Sequence, residues 1–160
     1  MTDKLLNEIE LSNLLNDAAQ KRDYEKLIGM DFDACHPNDF VRFMQSWLCQ
    51  SSDTSETILC CLAVTYSGIQ SGWLAFDSLR DFVNSFVTIL EKIAERFPNY
   101  SQDDEVLHMI QLLLRLANSS LAKRSAGDQN LDALRLREIF LKHRPSADGF
   151  YRGKDVSLDV

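Results

Sequence analysis

His108 is the residue of this sequence whose type and setting first point to chemistry. It lies in the most apolar stretch of the chain, where burial would lower the pKa of an imidazole, and Asp104 precedes it by one helical turn. A histidine beside a carboxylate can serve as a general base, but no serine or cysteine lies beside His108 at the spacing of a nucleophile. The pattern is more typical of a structural histidine, and we expect no enzymatic activity.

Two groups of acidic residues could in principle bind a metal ion. Asp31 and Asp33 flank Phe32, but they lack the glycine and the distant glutamate of a calcium loop. The run Asp103, Asp104 and Glu105 is typical of the first turn of a helix, where carboxylates are favoured by the dipole. We therefore predict no metal site and no cofactor.

The four cysteines show no paired C-x-x-C spacing: they are Cys35, Cys49, Cys60 and Cys61. Cys60 and Cys61 are adjacent, so on a helix their side chains point about 100° apart, which does not suit one metal ion. The sequence predicts reduced and mostly buried thiols, as in proteins of a reducing compartment.

Basic residues are concentrated toward the end of the chain. Residues 121–154 hold eight Lys and Arg against four Asp and Glu, whereas residues 1–60 hold five against eleven, giving balances of +4 and −6. The candidate basic end comprises Lys123, Arg124, Arg135, Arg137, Lys142 and Arg144, with Phe140, Phe150 and Tyr151 nearby. Such a combination could contact a nucleic acid through phosphates and stacking, or it could be a solvated face.

Aromatic and leucine side chains are the candidates for contact with a protein partner. Trp47 and Trp73 stand at core spacing, so we expect them to be buried. The front helices are shorter and less apolar, and they are therefore more suited to presenting a groove or an exposed face. The candidate partner-binding residues there are Leu5, Leu11, Tyr24 and Leu48.

The elements that must position these residues are all helical. Apolar residues recur at steps of three and four through most of the chain, and no stretch has the alternation of a strand. The sequence predicts an all-α fold of about seven helices in antiparallel hairpins, forming an irregular bundle or a short solenoid. Residues 1–145 form one domain and residues 146–160 a flexible tail or truncated linker. Predicted caps are Thr2, Asp23, Asn38, Ser101 and Asn130.

Residues 72–121 organise the predicted fold. One long helix is expected from Trp73 to Phe97, about 38 Å at about 1.5 Å per residue, ending before Pro98. The helix that follows is apolar at nine of the twelve positions from Val106 to Ala117, so it must be covered on several sides.

The composition argues against a membrane protein. No apolar run reaches the roughly 20 residues that cross a bilayer. Glu8 and Glu10 lie among the N-terminal leucines, which does not suit a signal peptide. We expect an intracellular protein, nuclear or cytoplasmic.

Three segments resemble the N-terminal helical half of the PCI-domain subunits of the transcription-coupled mRNA-export complex and of their signalosome-associated sister. They are residues 11–32 (LSNLLNDAAQKRDYEKLIGMDF), residues 72–90 (GWLAFDSLRDFVNSFVTIL) and residues 106–124 (VLHMIQLLLRLANSSLAKR). In that family, further hairpins and a winged-helix unit follow, and this unit supplies much of the contact with nucleic acid and with partner subunits. The resemblance implies a fragment, a short isoform or a divergent relative, docked on a larger scaffold subunit.

Two functions are consistent with these observations. The first is a non-catalytic helical scaffold for protein–protein interaction, a subunit or fragment of a nuclear mRNA-export complex. The alternative is a small acidic inhibitor or regulator, such as an immunity protein against a basic toxin or a cell-death regulator that binds an amphipathic helix.

Overall fold

The computed structural model describes residues 8–32, 34–51, 54–121 and 129–144, and most of these residues are helical. Its six α-helices are α1 (Glu8–Lys21), α2 (Pro37–Gln50), α3 (Ser55–Ser71), α4 (Leu79–Arg96), α5 (Asp104–Leu121) and α6 (Gln129–Lys142). Two short 3-10 turns, Tyr24–Leu27 and Tyr100–Gln102, lie between them. The described residues contain no strand, so the predicted all-α class is confirmed, and the expected seventh helix is the first 3-10 turn. The proposed tail, residues 146–160, lies outside the described residues.

The helices pack in two layers. The first layer contains α1, α3 and α5, and the second contains α2, α4 and α6. The most extensive contacts join alternate helices within a layer, and α5 and α6 also pack directly on each other. The arrangement is therefore that of a short solenoid more than of consecutive hairpins, because the connections carry each second helix across to the other layer.

Helix α3 is the centre of the hydrophobic core. Twelve of its 17 residues are buried, including both adjacent thiols, Cys60 and Cys61. It packs on α1, α5, α2 and the first 3-10 turn. Helix α5 is likewise covered by α3, α4 and α6, which explains why the run from Val106 to Ala117 is apolar nearly all round. Within the described residues, no helix combines the length and apolar character that crossing a bilayer requires.

The long helix predicted from Trp73 to Phe97 is wrong in its first part, since α4 begins only at Leu79. Helix α3 ends at Ser71 and is capped by Gly72, whose φ of +83° is a left-handed conformation that favours glycine. The chain then runs extended past Cys35, whose backbone N–H donates to the Trp73 carbonyl at 2.7 Å. Trp73 and Phe76 lie on this extended segment and are both buried. Because they are three residues apart, their spacing is the same as that of one more helical turn.

Several predicted caps also differ from those observed. Helix α2 is capped by His36, whose Nδ1 accepts from the N–H of Asn38 at 3.1 Å, because Pro37 occupies the first helical turn. Helix α5 is capped by Asp103 instead of Ser101: its carboxylate accepts from the N–H groups of Glu105 and Val106. No side-chain cap bond forms at Asp23. Asn130 lies within α6, and Thr2 lies outside the described residues.

Candidate protein-interaction surface

Helix α6 has two apolar faces, and only one of them is covered. Leu136 and Phe140 are buried against the rest of the protein. On the other face, Leu131, Leu134 and Leu141 are exposed by 50%, 55% and 49% of their surface. These three side chains, which we call the α6 leucine stripe, lie on one line along the helix because they are spaced three and seven residues apart.

Hydrogen bonds hold the inner face of α6 against α4 and α5. Asp132, which is buried, accepts from the Nε of Arg80 at 3.3 Å. The buried Gln111 donates from its amide to the Phe140 carbonyl at 3.1 Å. Because these polar groups are satisfied across the interface, the orientation of α6 is specified and the leucine stripe must face outward.

His143 provides a third attachment, just after α6. Its Nδ1–H donates to the Ile139 carbonyl at 2.7 Å, so in the neutral ring Nε2 accepts from the Tyr100 hydroxyl at 2.8 Å. The two rings also stack, with their centroids 5.6 Å apart. Burial lowers the pKa of His143, while its hydrogen bond to Ile139 acts in the opposite direction. The His143 ring is therefore uncharged at neutral pH.

A groove runs between α4 and α6 beside the leucine stripe. Its volume is about 560 Å³, and it is lined by Val87, Arg135, Glu138, Ile139, Leu141 and Lys142. Val87 and Ile139 are half-buried, and the charged side chains form its edges. A groove of this composition can accept an apolar side chain from a partner while its edges contact charged groups.

Four residues of the predicted basic end are brought together around the leucine stripe. Arg135 and Lys142 lie on the side facing α4, and Arg137 lies on the opposite side, with Arg144 just past the helix end. The Nη2 of Arg135 donates to the side chain of Asn84 at 2.9 Å, which holds that cation at the edge of the groove. Lys123 and Arg124 lie outside the described residues.

The described residues around these cations include no exposed aromatic residue of the predicted basic end. Phe140, the aromatic residue that the sequence places among them, is buried in the core and offers no face for stacking a base. The exposed residues between Arg137 and Lys142 are Glu138 and Leu141. Phe150 and Tyr151 lie outside the described residues.

In the described part of the chain, the predicted partner-binding residues of the front helices do not form an exposed face. Leu11 and Leu48 are fully buried in the core, and their spacing reflects that role. Tyr24 is half-buried, and its hydroxyl donates to the carboxylate of Glu105 at 2.8 Å. Burial and this bond raise the pKa of Tyr24. Leu5 lies outside the described residues. Trp47 and Trp73 are buried, as expected from their spacing.

Asp103, one of the acidic residues that could have formed a metal site, serves local structure. The second carboxylate oxygen of Asp103 accepts from the Ser55 hydroxyl at 2.6 Å, which joins the starts of α3 and α5. Burial lowers the pKa of His108, with Glu105 acting in the opposite direction. Asp31 is exposed, and Asp33 lies outside the described residues. In the part of the chain that the structure describes, no three His, Cys, Asp or Glu residues are grouped to hold a metal ion.

The cysteines are free thiols, and three of the four are buried. Burial raises the pKa of Cys35 to about 11 and that of Cys60 to about 12. It raises the pKa of Cys61 as well. These three thiols are therefore protonated and poor nucleophiles at neutral pH.

A second, polar cleft of about 540 Å³ lies where α2 and α4 begin. It is lined by residues that include His36, Asn38, Asp77, Asp81, Asn84 and Ser85. One nitrogen of His36 is already used in capping α2, so the ring is oriented by the helix start.

Sequence reasoning did not identify the α6 leucine stripe as a surface. Its only signal is that α6 has apolar residues on two faces, with Leu131 and Leu134 falling on one and Leu136 and Phe140 on the other. Spacing alone does not reveal which face the protein covers. No protein-family model, curated protein or solved structure matches the chain in comparisons with known proteins.

Proposed function

We propose that this protein is a non-catalytic helical scaffold that binds another protein through α6. The observation that carries the proposal is the α6 leucine stripe, three half-exposed leucines in one line beside a groove. Contiguous apolar surface with polar borders is typical of interaction sites, whereas leucines exposed singly need no such explanation.

The more specific form of the proposal is a subunit or fragment of a nuclear mRNA-export complex that docks on a larger scaffold subunit. It is supported by the resemblance of residues 11–32, 72–90 and 106–124 to the PCI-domain subunits. Stacked helices are also the architecture that such a subunit would need. A nuclear or cytoplasmic location follows from this form of the proposal.

The experiment is affinity capture from nuclear extract with the full chain, followed by binding measurements on any export-complex subunit that is identified and purified. We expect such a subunit to bind the wild-type protein, and Leu134→Glu to weaken that binding at least tenfold because it places a charge in the apolar contact. The matched control is Ile9→Glu, since Ile9 is also an exposed apolar residue, 77% accessible, and lies on α1.

Two outcomes would count against the proposal. Recovery of no export-complex subunit would remove its specific form. If an identified partner bound Leu134→Glu and Ile9→Glu equally well, the interaction would not use α6, and the general form would fall.

A further inference from the structure

The outward face of α6 has the heptad pattern of a coiled-coil seam. If Leu131 is placed at position a, then Leu134 falls at d, Glu138 at the next a and Leu141 at the next d. All four of these side chains are exposed. The seam is about 15 Å long at about 1.5 Å per residue, from the a position of one heptad to the d position of the next.

The heptad positions opposite the seam are the ones that contain the buried residues of α6. Positions b, c and f face the protein, and they include the buried Asp132, Leu136, Phe140 and His143. Such a division is expected of a helix that packs on its own protein with one face and on a second helix with the other. The leucine stripe is thus not a set of unrelated exposed residues.

The charges beside the seam are of one sign. The e positions are Arg135 and Lys142, and the g position within the helix is Arg137; Arg144 occupies the next g position, just past the helix end. In coiled coils these positions form salt bridges across the interface and so select the partner. Acidic residues are therefore the matching charges for the partner.

A second copy of α6 does not fit this seam. Pairing α6 with itself would bring Arg135, Arg137 and Lys142 near the same residues of the copy, and like charges oppose such pairing. In a parallel pair Glu138 would also face Glu138 across the apolar contact. The charge pattern favours a different helix.

We infer that α6 binds an amphipathic helix with leucine-type residues along its seam, glutamate or aspartate beside them, and one lysine or arginine opposite Glu138. This inference rests on the proposed function, and it names the class of partner for that surface. The groove between α4 and α6 would receive one apolar side chain of the partner beside Val87 and Ile139. Because the seam is short, we expect a dissociation constant on the order of 10 µM.

The experiment uses two synthetic peptides of three heptads and the full chain. The acidic peptide has leucine at a and d, with one lysine at a central a position, and glutamate at e and g. The matched peptide has lysine in place of every one of those glutamates. Binding is measured by fluorescence anisotropy at about 50 mM and about 500 mM salt. We expect the acidic peptide to bind at least tenfold more tightly than the basic one, and to lose several-fold in affinity at the higher salt concentration.

Variants then test whether α6 is the binding surface. Leu134→Glu should weaken binding of the acidic peptide at least tenfold, and Leu141→Ala should weaken it less. Arg137→Glu should weaken it several-fold, whereas Arg115→Glu, the same charge change at an exposed position of α5, should leave it unchanged. Circular dichroism of each variant confirms that it is folded.

Three results would overturn the inference. They are equal affinity for the two peptides, absence of binding by the acidic peptide at about 1 mM, and dimerisation of the chain that Leu134→Glu abolishes, which would identify a second copy as the occupant. The proposed function is tested separately, because an identified protein partner that depends on Leu134 would support the scaffold even if the acidic peptide failed. Binding of the acidic peptide without any protein partner that depends on Leu134 would support this inference and count against the proposed function.

Discussion

At the scale of single residues, four polar side chains complete the structure. His36 and Asp103 cap helices, Gln111 satisfies a carbonyl of α6, and His143 joins α6 to the second 3-10 turn. Each of these types could take part in chemistry in another setting. Here their hydrogen-bond partners are backbone groups or neighbouring side chains, which is the usual state of buried polar groups.

His143 makes stability depend on pH, and the sign follows from its environment. Its pKa in the folded protein is lowered by burial, so between that value and the unfolded value of about 6.5 only the unfolded chain takes up the proton. The stability that His143 contributes is therefore fully present above about pH 6.5 and is lost as the pH falls toward the folded pKa.

The variant His143→Phe tests whether the contribution of His143 to stability decreases as the pH falls. It keeps an aromatic ring beside Tyr100 but leaves the Tyr100 hydroxyl without its acceptor, so we expect a loss of about 1–3 kcal/mol in unfolding free energy at pH 8. The difference from wild type should narrow at pH 5, as measured by urea unfolding at both pH values. Because the other titrating groups are common to both proteins, their effects cancel. A difference that stayed constant or widened at pH 5 would show that the folded pKa of His143 is not lowered.

At the scale of elements, the close approach of α3 to the segment before α4 depends on a glycine. A Cβ added at Gly68 would lie 2.6 Å from the Cβ of Leu74 and 3.3 Å from the Trp73 ring. Both of these side chains are buried, and the backbone N–H of Leu74 donates to the Gly68 carbonyl at 3.0 Å. The contact cannot widen without disturbing the hydrogen bonds that turn the chain.

We expect Gly68→Ala to destabilise the protein, although alanine favours helices. The gain in helix propensity is about 1 kcal/mol, whereas the overpacking costs about 1–3 kcal/mol. The hydrogen bond from the Leu74 N–H to the residue 68 carbonyl is lost in addition. The net change should be a decrease of about 1–2 kcal/mol in unfolding free energy, measured by denaturant titration. Gln70→Ala, an exposed change in the same helix, is the control and should alter stability by less than about 0.5 kcal/mol. An increase in stability for Gly68→Ala would contradict the packing described here.

At the scale of the whole molecule, the two-layer packing gives the helices unequal support. Helix α3 is covered by α1, α2, α5 and the first 3-10 turn, whereas α6 contacts α4 and α5 with one face only. In a stacked array each element depends chiefly on its neighbours, so terminal elements open at lower free energy than central ones.

Native-state hydrogen exchange would measure this difference. We expect the backbone amides of α3 to exchange slowest, and those of α6 and α1 to exchange at least tenfold faster than those of α3. The acidic peptide should slow exchange in α6 more than in α1, which provides an internal control. Equal protection in all six helices would instead show that the protein opens only as one cooperative unit.

The sequence was sufficient for the fold class and for most of the core. Residues at three- and four-residue steps predicted the helices, and the nearly uniform apolar run from Val106 to Ala117 predicted that α5 is covered on several sides. The period did not reveal where α4 begins, because Trp73 and Phe76 are buried from an extended segment that continues the helical spacing. The caps predicted at Asn38 and Ser101 were each misplaced by two residues, since several neighbouring side chains can accept from the same N–H groups.

By itself, the sequence determined which residues are apolar and at what helical spacing they recur. It also determined that basic residues accompany the apolar residues of the last helix. Only the tertiary structure decided that Leu11 and Leu48 are covered while Leu131, Leu134 and Leu141 are not. The physical reason is that a helix's period places side chains on faces, but which face is buried depends on the neighbours that pack against it. For α6, those neighbours are α4 and α5 on one side, and within the described residues no other helix covers the leucine stripe.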